Sequence, residues 1–385
     1  MSTKKPVLTT KLPSVGTTIF TVMSALATEC KAINLSQGFP NFPASEELIS
    51  LVNKYMKMGY NQYAPMMGVK ELREAISEKT ANLYNINYNT DSEITITSGG
   101  TEALFAAISA VVKIGDEVIV FEPAYDSYIP AIELNGGIPV YISLKYPDYK
   151  IDWKEVKNKI TTKTKLIIIN TPHNPTGSIL CESDLKELSN IVQNSNIFLL
   201  SDEVYEHIIF DGMKHNSLMT IPELQQRSFI IGSFGKTFHV TGWKTGFCLA
   251  PKELTTEFRK IHQFLTFSTF TPLQYALAEF LKNPINYNGV PSFYEKKRNT
   301  FLESVKNSRF TFIPSKGSYF QNLCYSNISD EYDYDLAIRL TKEIGVASVP
   351  LSVFYHNKKD EKILRFCFAK DDETLYKAGE RLSKL

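Results

Sequence analysis

Short apolar runs, separated by helical segments, narrow the fold of this chain more than any other feature. The runs are Glu93-Ile94-Thr95-Ile96-Thr97, Glu117-Val118-Ile119-Val120-Phe121, Lys165-Leu166-Ile167-Ile168-Ile169-Asn170, Ile197-Phe198-Leu199-Leu200-Ser201, Phe229-Ile230-Ile231-Gly232 and Gly246-Phe247-Cys248-Leu249-Ala250. Glu71 to Tyr84 and Thr101 to Val112 are among the segments that read as helices. A strand that is apolar at nearly every position has no face fit for water, so it must be covered on both sides. Strands of that kind alternating with helices predict an α/β fold, in which a mostly parallel sheet lies between layers of helices.

The flanks have a different texture. Residues 1–45 lack strong periodicity and hold Pro13, Gly16, Gly38, Pro40 and Pro43. They read as an arm with a short helix around Phe20 to Cys30, contributing to a small domain. Residues 46–280 are expected to form the large domain and residues 281–385 a smaller α+β domain. In the latter, helices are expected at Tyr294 to Lys306 and Leu336 to Ile344, with strands near Phe310-Thr311-Phe312, Ser318-Tyr319-Phe320 and Ile363 to Cys367. A chain of 385 residues with 43% hydrophobic content is long enough for two cores of unequal size.

Charge and cysteine content exclude several classes. The formal net charge is +1 with both signs interspersed, which leaves no footprint for nucleic acid or an anionic membrane surface. Cys30, Cys181, Cys248, Cys324 and Cys367 form no C-x-x-C pair and no metal-ligand rhythm, so buried free thiols and no metal are expected. No apolar segment follows the residues Met1 to Pro6, and no run of about 18 apolar residues occurs. A cytoplasmic location is the expectation.

Open α/β sheets bind their ligands at the carboxyl ends of the strands, and here those ends carry unusual residues. Ser98-Gly99-Gly100-Thr101 offers free backbone N–H groups and a hydroxyl at a helix N-terminus, suited to a phosphate. It also reads as a tight turn with Thr101 as a plain cap. Its spacing is neither that of a P-loop nor of G-x-G-x-x-G. Asn174-Pro175-Thr176-Gly177 holds an amide on a turn, which is also common loop punctuation. Asp202 is a carboxylate delivered by a buried strand and in need of a cationic partner, with a structural helix cap as the alternative. Lys236, in Ser233-Phe234-Gly235-Lys236-Thr237, follows a buried strand, where an ammonium is desolvated and becomes an imine-forming nucleophile. Alone, the segment reads as a surface lysine on a loop after a strand; only its partners elsewhere in the chain raise the other reading.

Taken together and in this order, with Tyr125, Tyr205 and Arg365, the segments resemble the fold type I aminotransferases that use pyridoxal 5′-phosphate, in particular the class I group. The resemblance spans residues 12–385. Ser36-Gln37-Gly38-Phe39-Pro40-Asn41-Phe42, Asn61-Gln62-Tyr63-Ala64-Pro65, Ile169 to Pro175 and Thr241-Gly242-Trp243-Lys244 are similar to the methionine, kynurenine and glutamine aminotransferases within it. The resemblance implies that Lys236 bonds the cofactor covalently and, once displaced by substrate, carries the proton. Asp202 would pair with the pyridinium nitrogen, Asn174 and Tyr205 with the phenolic oxygen, and Tyr125 would stack on the ring. Gly100, Thr101, Ser233 and Lys244 would hold the phosphate, with Tyr63 reaching in from the second subunit of a homodimer. Arg365, helped by Asn174 and the backbone of Gly38, would take the substrate α-carboxylate as a bidentate fork. Many class I members carry arginine where this chain has Lys244, a point charge instead of a fork.

The resemblance places Phe20 and Phe270 near the substrate, although aromatic spacing such as Phe264-x-x-Phe267-x-x-Phe270 also suits a helix core. No second arginine is evident for a distal carboxylate. The expected donor is therefore an uncharged or aromatic amino acid such as methionine, glutamine, phenylalanine or kynurenine, with a 2-oxo acid as acceptor in a ping-pong cycle. β-Elimination from cysteine S-conjugates on the same cofactor is an alternative, and a non-catalytic regulatory homologue is another.

Overall fold

The computed structural model describes residues 6–385; the first five residues of the expected arm lie outside the described residues. Its strands are β1 (Ile33–Asn34), β2 (Ile94–Thr97), β3 (Glu117–Glu122), β4 (Ile138–Ser143), β5 (Thr164–Asn170), β6 (Phe198–Asp202), β7 (Ser228–Ser233), β8 (Gly246–Leu249), β9 (Phe320–Cys324), β10 (Val346–Ala347), β11 (Val349–Pro350) and β12 (Ile363–Cys367). Seven of them form one sheet in the order β2-β8-β7-β6-β5-β3-β4. Only β8 runs against its neighbours β2 and β7, so the expected mostly parallel sheet is present with one reversed strand.

Alternation along the strands sends side chains into two separate cores. Ile119, Phe121, Ile167, Ile169 and Leu199 face one layer, which includes helices Lys70–Tyr84, Glu182–Val192 and Thr271–Leu281. Val118, Val120, Leu166, Ile168 and Leu200 face the other, where helices Gly99–Val111 and Lys252–Leu265 lie. A third core joins helices Ile19–Glu29, Val290–Val305 and Asp372–Leu382 to β12. The N-terminal strand β1 pairs in parallel with β10, so the arm is stitched to the C-terminal part of the chain.

Four local expectations are corrected. The edge strand β4 was not foreseen; Ile138 is exposed and Pro139 interrupts its pattern, as an edge strand tolerates. Helix Gly99–Val111 starts two residues before the expected Thr101. The segment at Phe310-Thr311-Phe312 makes only an isolated bridge from Thr311 to Cys324, and the neighbouring strand runs from Phe320 to Cys324 instead of ending at Phe320. Of the five free cysteines, Cys181 is exposed and Cys30 half-buried, while the other three are buried. No helix among the described residues is long and apolar enough to cross a membrane.

Candidate active site

The carboxyl ends of β5, β6 and β7 open on a cavity of about 220 Å³. Phe20, Gly38, Gly100, Thr101, Tyr125, Asn174, Asp202, Tyr205, Lys236, Lys244 and Arg365 all border it. Residues up to 345 positions apart in the chain thus meet at one place, as strand ends in a wound sheet allow.

One wall is a cradle made by glycine. Gly99 adopts φ +79°, and a Cβ there would come within 3.3 Å of Nζ and Cε of Lys244. Across from it, a Cβ on Gly246 would stand 2.6 Å from the carbonyl oxygen of Gly232 and 3.0 Å from the amide of Gly100. The absence of side chains lets β7, β8 and the start of helix Gly99–Val111 close on one another. N–H groups in the first turn of a helix have no acceptor within it, and the helix dipole is positive there. With the Lys244 ammonium alongside, this wall is built for an anion.

Asp202 ends β6 level with Asn170 of β5. Its Oδ2 accepts from the Tyr128 hydroxyl at 2.6 Å and its Oδ1 from the Val204 amide at 3.3 Å. Neither partner is a cation. Burial pushes the carboxyl up to about 6 in spite of these two bonds.

Lys236 sits in the single helical turn Phe234–Thr237 that follows β7. Its Nζ donates to Oη of Tyr319 at 2.9 Å and lies 5.6 Å from the centre of the Tyr205 ring. Burial lowers its ammonium from the ordinary 10.5 to about 8; the cations Lys244 and Arg365 act in the same direction, while Cys367 and Asp202 oppose. A neutral amine is therefore accessible near neutral pH, as a nucleophile or base requires.

Arg365, on β12, is 1% exposed. Its Nη1 donates to Oδ1 of Asn174 at 2.8 Å and its Nη2 to the carbonyl of Ser36 at 3.2 Å, while Nε is buried with no partner. The guanidinium lies 3.9 Å from the centre of the Phe320 ring, 5.1 Å from Phe354 and 5.2 Å from Phe20. Burial depresses it to about 10. A buried guanidinium bonded only to neutral oxygens, with an N–H to spare, can take a carboxylate from outside the chain.

Asn174 is held in place by the chain around it. Its backbone N–H donates to Oδ1 of Asn170 at 2.8 Å, and Asn170 Nδ2 donates to the carbonyl of Asp202 at 2.9 Å, so the Arg365 and Asp202 ends of the cavity share one set of bonds. The sequence did not single out Asn170, Tyr128 or Tyr319. Each acts through a contact across the fold, and no local spacing signals it.

Three expected residues lie outside the cavity. Ser233 precedes the Lys236 turn, and its carbonyl accepts from the Thr237 hydroxyl at 3.2 Å. Tyr63 is 84% exposed, edge-on to Phe267, and Phe270 is 53% exposed.

The sheet order, the lysine after β7 and the carboxylate at the end of β6 define a fold type I enzyme. The family model for aminotransferase class I and II matches residues 31–382, and the chain belongs to that family of pyridoxal 5′-phosphate enzymes. It is 48% identical over 376 residues to a methionine aminotransferase of Escherichia coli, covering 97% of each chain. It is 36% identical over 412 residues to a kynurenine–oxoglutarate transaminase of Dictyostelium discoideum, covering 97% of this chain and 95% of that one. A crystal structure from Escherichia coli, described as having a methionine aminotransferase function, matches with a TM-score of 0.97 and 47% identity over 99% of this chain and all of that one.

Proposed function

We propose that this aminotransferase takes its amino group from uncharged or aromatic L-amino acids of the methionine, glutamine, phenylalanine and kynurenine type. It passes the group to a 2-oxo acid by a ping-pong mechanism in one pocket. The observation that carries this reading is Arg365, a buried fork without a salt bridge and, among the described residues, the one arginine that borders the cavity, set among Phe20, Phe320 and Phe354. An α-carboxylate satisfies it, and among the described residues no second arginine borders the cavity for a distal one.

The residues present fit pyridoxal 5′-phosphate. Bound, the cofactor supplies an electron sink for the negative charge that develops at the substrate Cα. In this reading the first-turn N–H groups at Gly100 and Thr101 and the Lys244 ammonium hold the phosphate, with Ser233 nearby. Asp202 receives the pyridinium as the cation its buried carboxyl lacks, and Tyr128 keeps that carboxyl oriented. Asn174 and Tyr205 bond the phenolic oxygen, and Tyr125 packs on the ring. Lys236 would bond the cofactor covalently and, once displaced by the substrate amine, its Nζ would take and hold the proton that leaves the substrate Cα. Its lowered pKa supports the base role.

A homodimer fits the surface. Tyr63, Phe264, Phe267 and Phe270 form an exposed aromatic stretch, and a second subunit covering it would bring Tyr63 toward its neighbour's phosphate cradle.

Methionine added to the cofactor-loaded protein should convert the cofactor's visible absorbance to that of its amino form and release the keto acid, and a 2-oxo acid should restore it. Aspartate should turn over about tenfold more slowly or worse. Pyruvate and ammonia from cysteine conjugates without keto acid from methionine would overturn the reading in favour of elimination. Undiminished turnover in Lys236→Ala would remove the lysine from its role.

A further inference from the structure

Tyr319 stands behind Lys236, outside the cavity, and is fully buried. Two contacts set the direction of its hydroxyl. The Gly38 carbonyl can only accept, so the single phenolic proton is committed to it. Lys236 Nζ, 2.9 Å away, must then be the donor to the phenolic oxygen. The ring cannot swing out of this arrangement, because Tyr205 packs edge-on at 5.0 Å and Phe320 at 4.9 Å. Burial, reinforced by Tyr205, pushes the phenol well above its ordinary range, so it neither supplies nor stores a proton.

We propose that Tyr319 is a positioning residue for Lys236: its oxygen takes one N–H of the amine from behind, which turns the remaining positions on nitrogen toward the cavity. A lysine side chain has four rotatable bonds, and an amine freed from its cofactor bond would otherwise sample many orientations. With one N–H tied to Tyr319, the lone pair that takes a proton is presented to the substrate side. The same hydroxyl donates to Gly38, whose backbone borders the cavity, so the amine and that part of the cavity wall are fixed from one point. The inference rests on the reading of Lys236 as the cofactor-bearing, proton-moving lysine.

An acceptor favours the ammonium over the neutral amine, because hydrogen bonds to a charged group are stronger. Tyr319→Phe keeps the ring and removes the acceptor. In the full-length chain stripped of cofactor, trace labelling with acetic anhydride across pH, read at the Lys236 peptide by mass spectrometry, should show the midpoint falling by about half a unit to one unit. In the loaded enzyme kcat with methionine should fall by about tenfold, and by more than KM rises. A folded Tyr319→Phe protein whose midpoint is unchanged or raised would overturn the proposal. Since the substitution leaves the buried Gly38 carbonyl without its donor, 3-fluorotyrosine at position 319 provides a second arm that keeps the packing. It weakens the oxygen as acceptor and should lower the midpoint by a smaller amount; no movement there also overturns the proposal. The labelling midpoint needs no turnover, so a shifted midpoint in a chain that does not transaminate methionine would refute the functional reading and leave the contact standing.

Discussion

Asp202→Asn separates what the buried carboxyl costs the fold from what it does for the cofactor. Burial raises this group from the ordinary 3.8 to about 6, and a rise of about two units corresponds to about 3 kcal/mol. Because the folded pKa is raised, the stability gained from the protonated form is fully present below pH 3.8 and lost as pH rises through about 6. At pH 8 the cofactor-free protein therefore carries a buried, unpaired charge. The variant removes that charge and keeps the shape. The carboxylate uses both oxygens, one for Tyr128 and one for Val204. An amide has one oxygen, so one of these bonds weakens, at a cost of about 1 kcal/mol. The variant should then be more stable than the parent by about 2 kcal/mol at pH 8, and less stable by about 1 kcal/mol near pH 4. Urea denaturation of both cofactor-free proteins at pH 4, 6 and 8 measures this, and the difference between them cancels the other titrating groups. With cofactor the sign reverses, because the variant offers no negative charge to a pyridinium and should bind less tightly at pH 8. A stability difference that does not vary with pH would refute the argument about burial. Equal cofactor affinity in the two proteins would refute the pairing.

Two further substitutions probe the frame around the site. Gly246→Ala puts a methyl 2.6 Å from the Gly232 carbonyl oxygen and 3.0 Å from the Gly100 amide, both backbone atoms. The cradle must widen, and cofactor affinity read by absorbance titration should fall about tenfold or more; unaltered affinity would show that the cradle does not grip. Glu206 lies on the segment that carries Asp202 and Tyr205 and forms a buried ion pair with Lys79. Burial alone would raise its carboxyl, but Lys79 overrides this and holds it near 2. Glu206→Gln strands the buried ammonium and should cost about 3–5 kcal/mol in equilibrium denaturation, and a loss below about 1 kcal/mol would mean that solvent reaches Lys79.

How legible each part was follows from the range of the forces that set it. The central strands could be read because a strand buried on both faces needs apolar residues at nearly every position, and that need is written locally. The edge strand β4 could not be, since it is only partly buried and tolerates Pro139 and the exposed Ile138, whereas the opposite edge strand β2 is buried along its length and carries the apolar pattern. Lys236, Asp202, Asn174 and Arg365 stood out because each was a polar residue in or beside an apolar run, and the order of their motifs matched a known family. The strand expected at Phe310-Thr311-Phe312 does not form, because its apolar residues fill a core from a loop that meets Cys324 at one bridge.

By itself the sequence determined the α/β class, the strand ends that carry chemistry and the family they belong to, since burial and turn geometry select residue types within a few positions. The tertiary structure alone decided what surrounds those residues. It left Arg365 without a salt bridge, raised Asp202 and lowered Lys236. It also supplied Tyr128, Asn170 and Tyr319, which no motif marks. A pKa depends on which groups surround a site and how far water is excluded, and a hydrogen bond depends on distances of about 3 Å. Between residues as remote in sequence as Lys236 and Tyr319, only the folded chain sets those quantities.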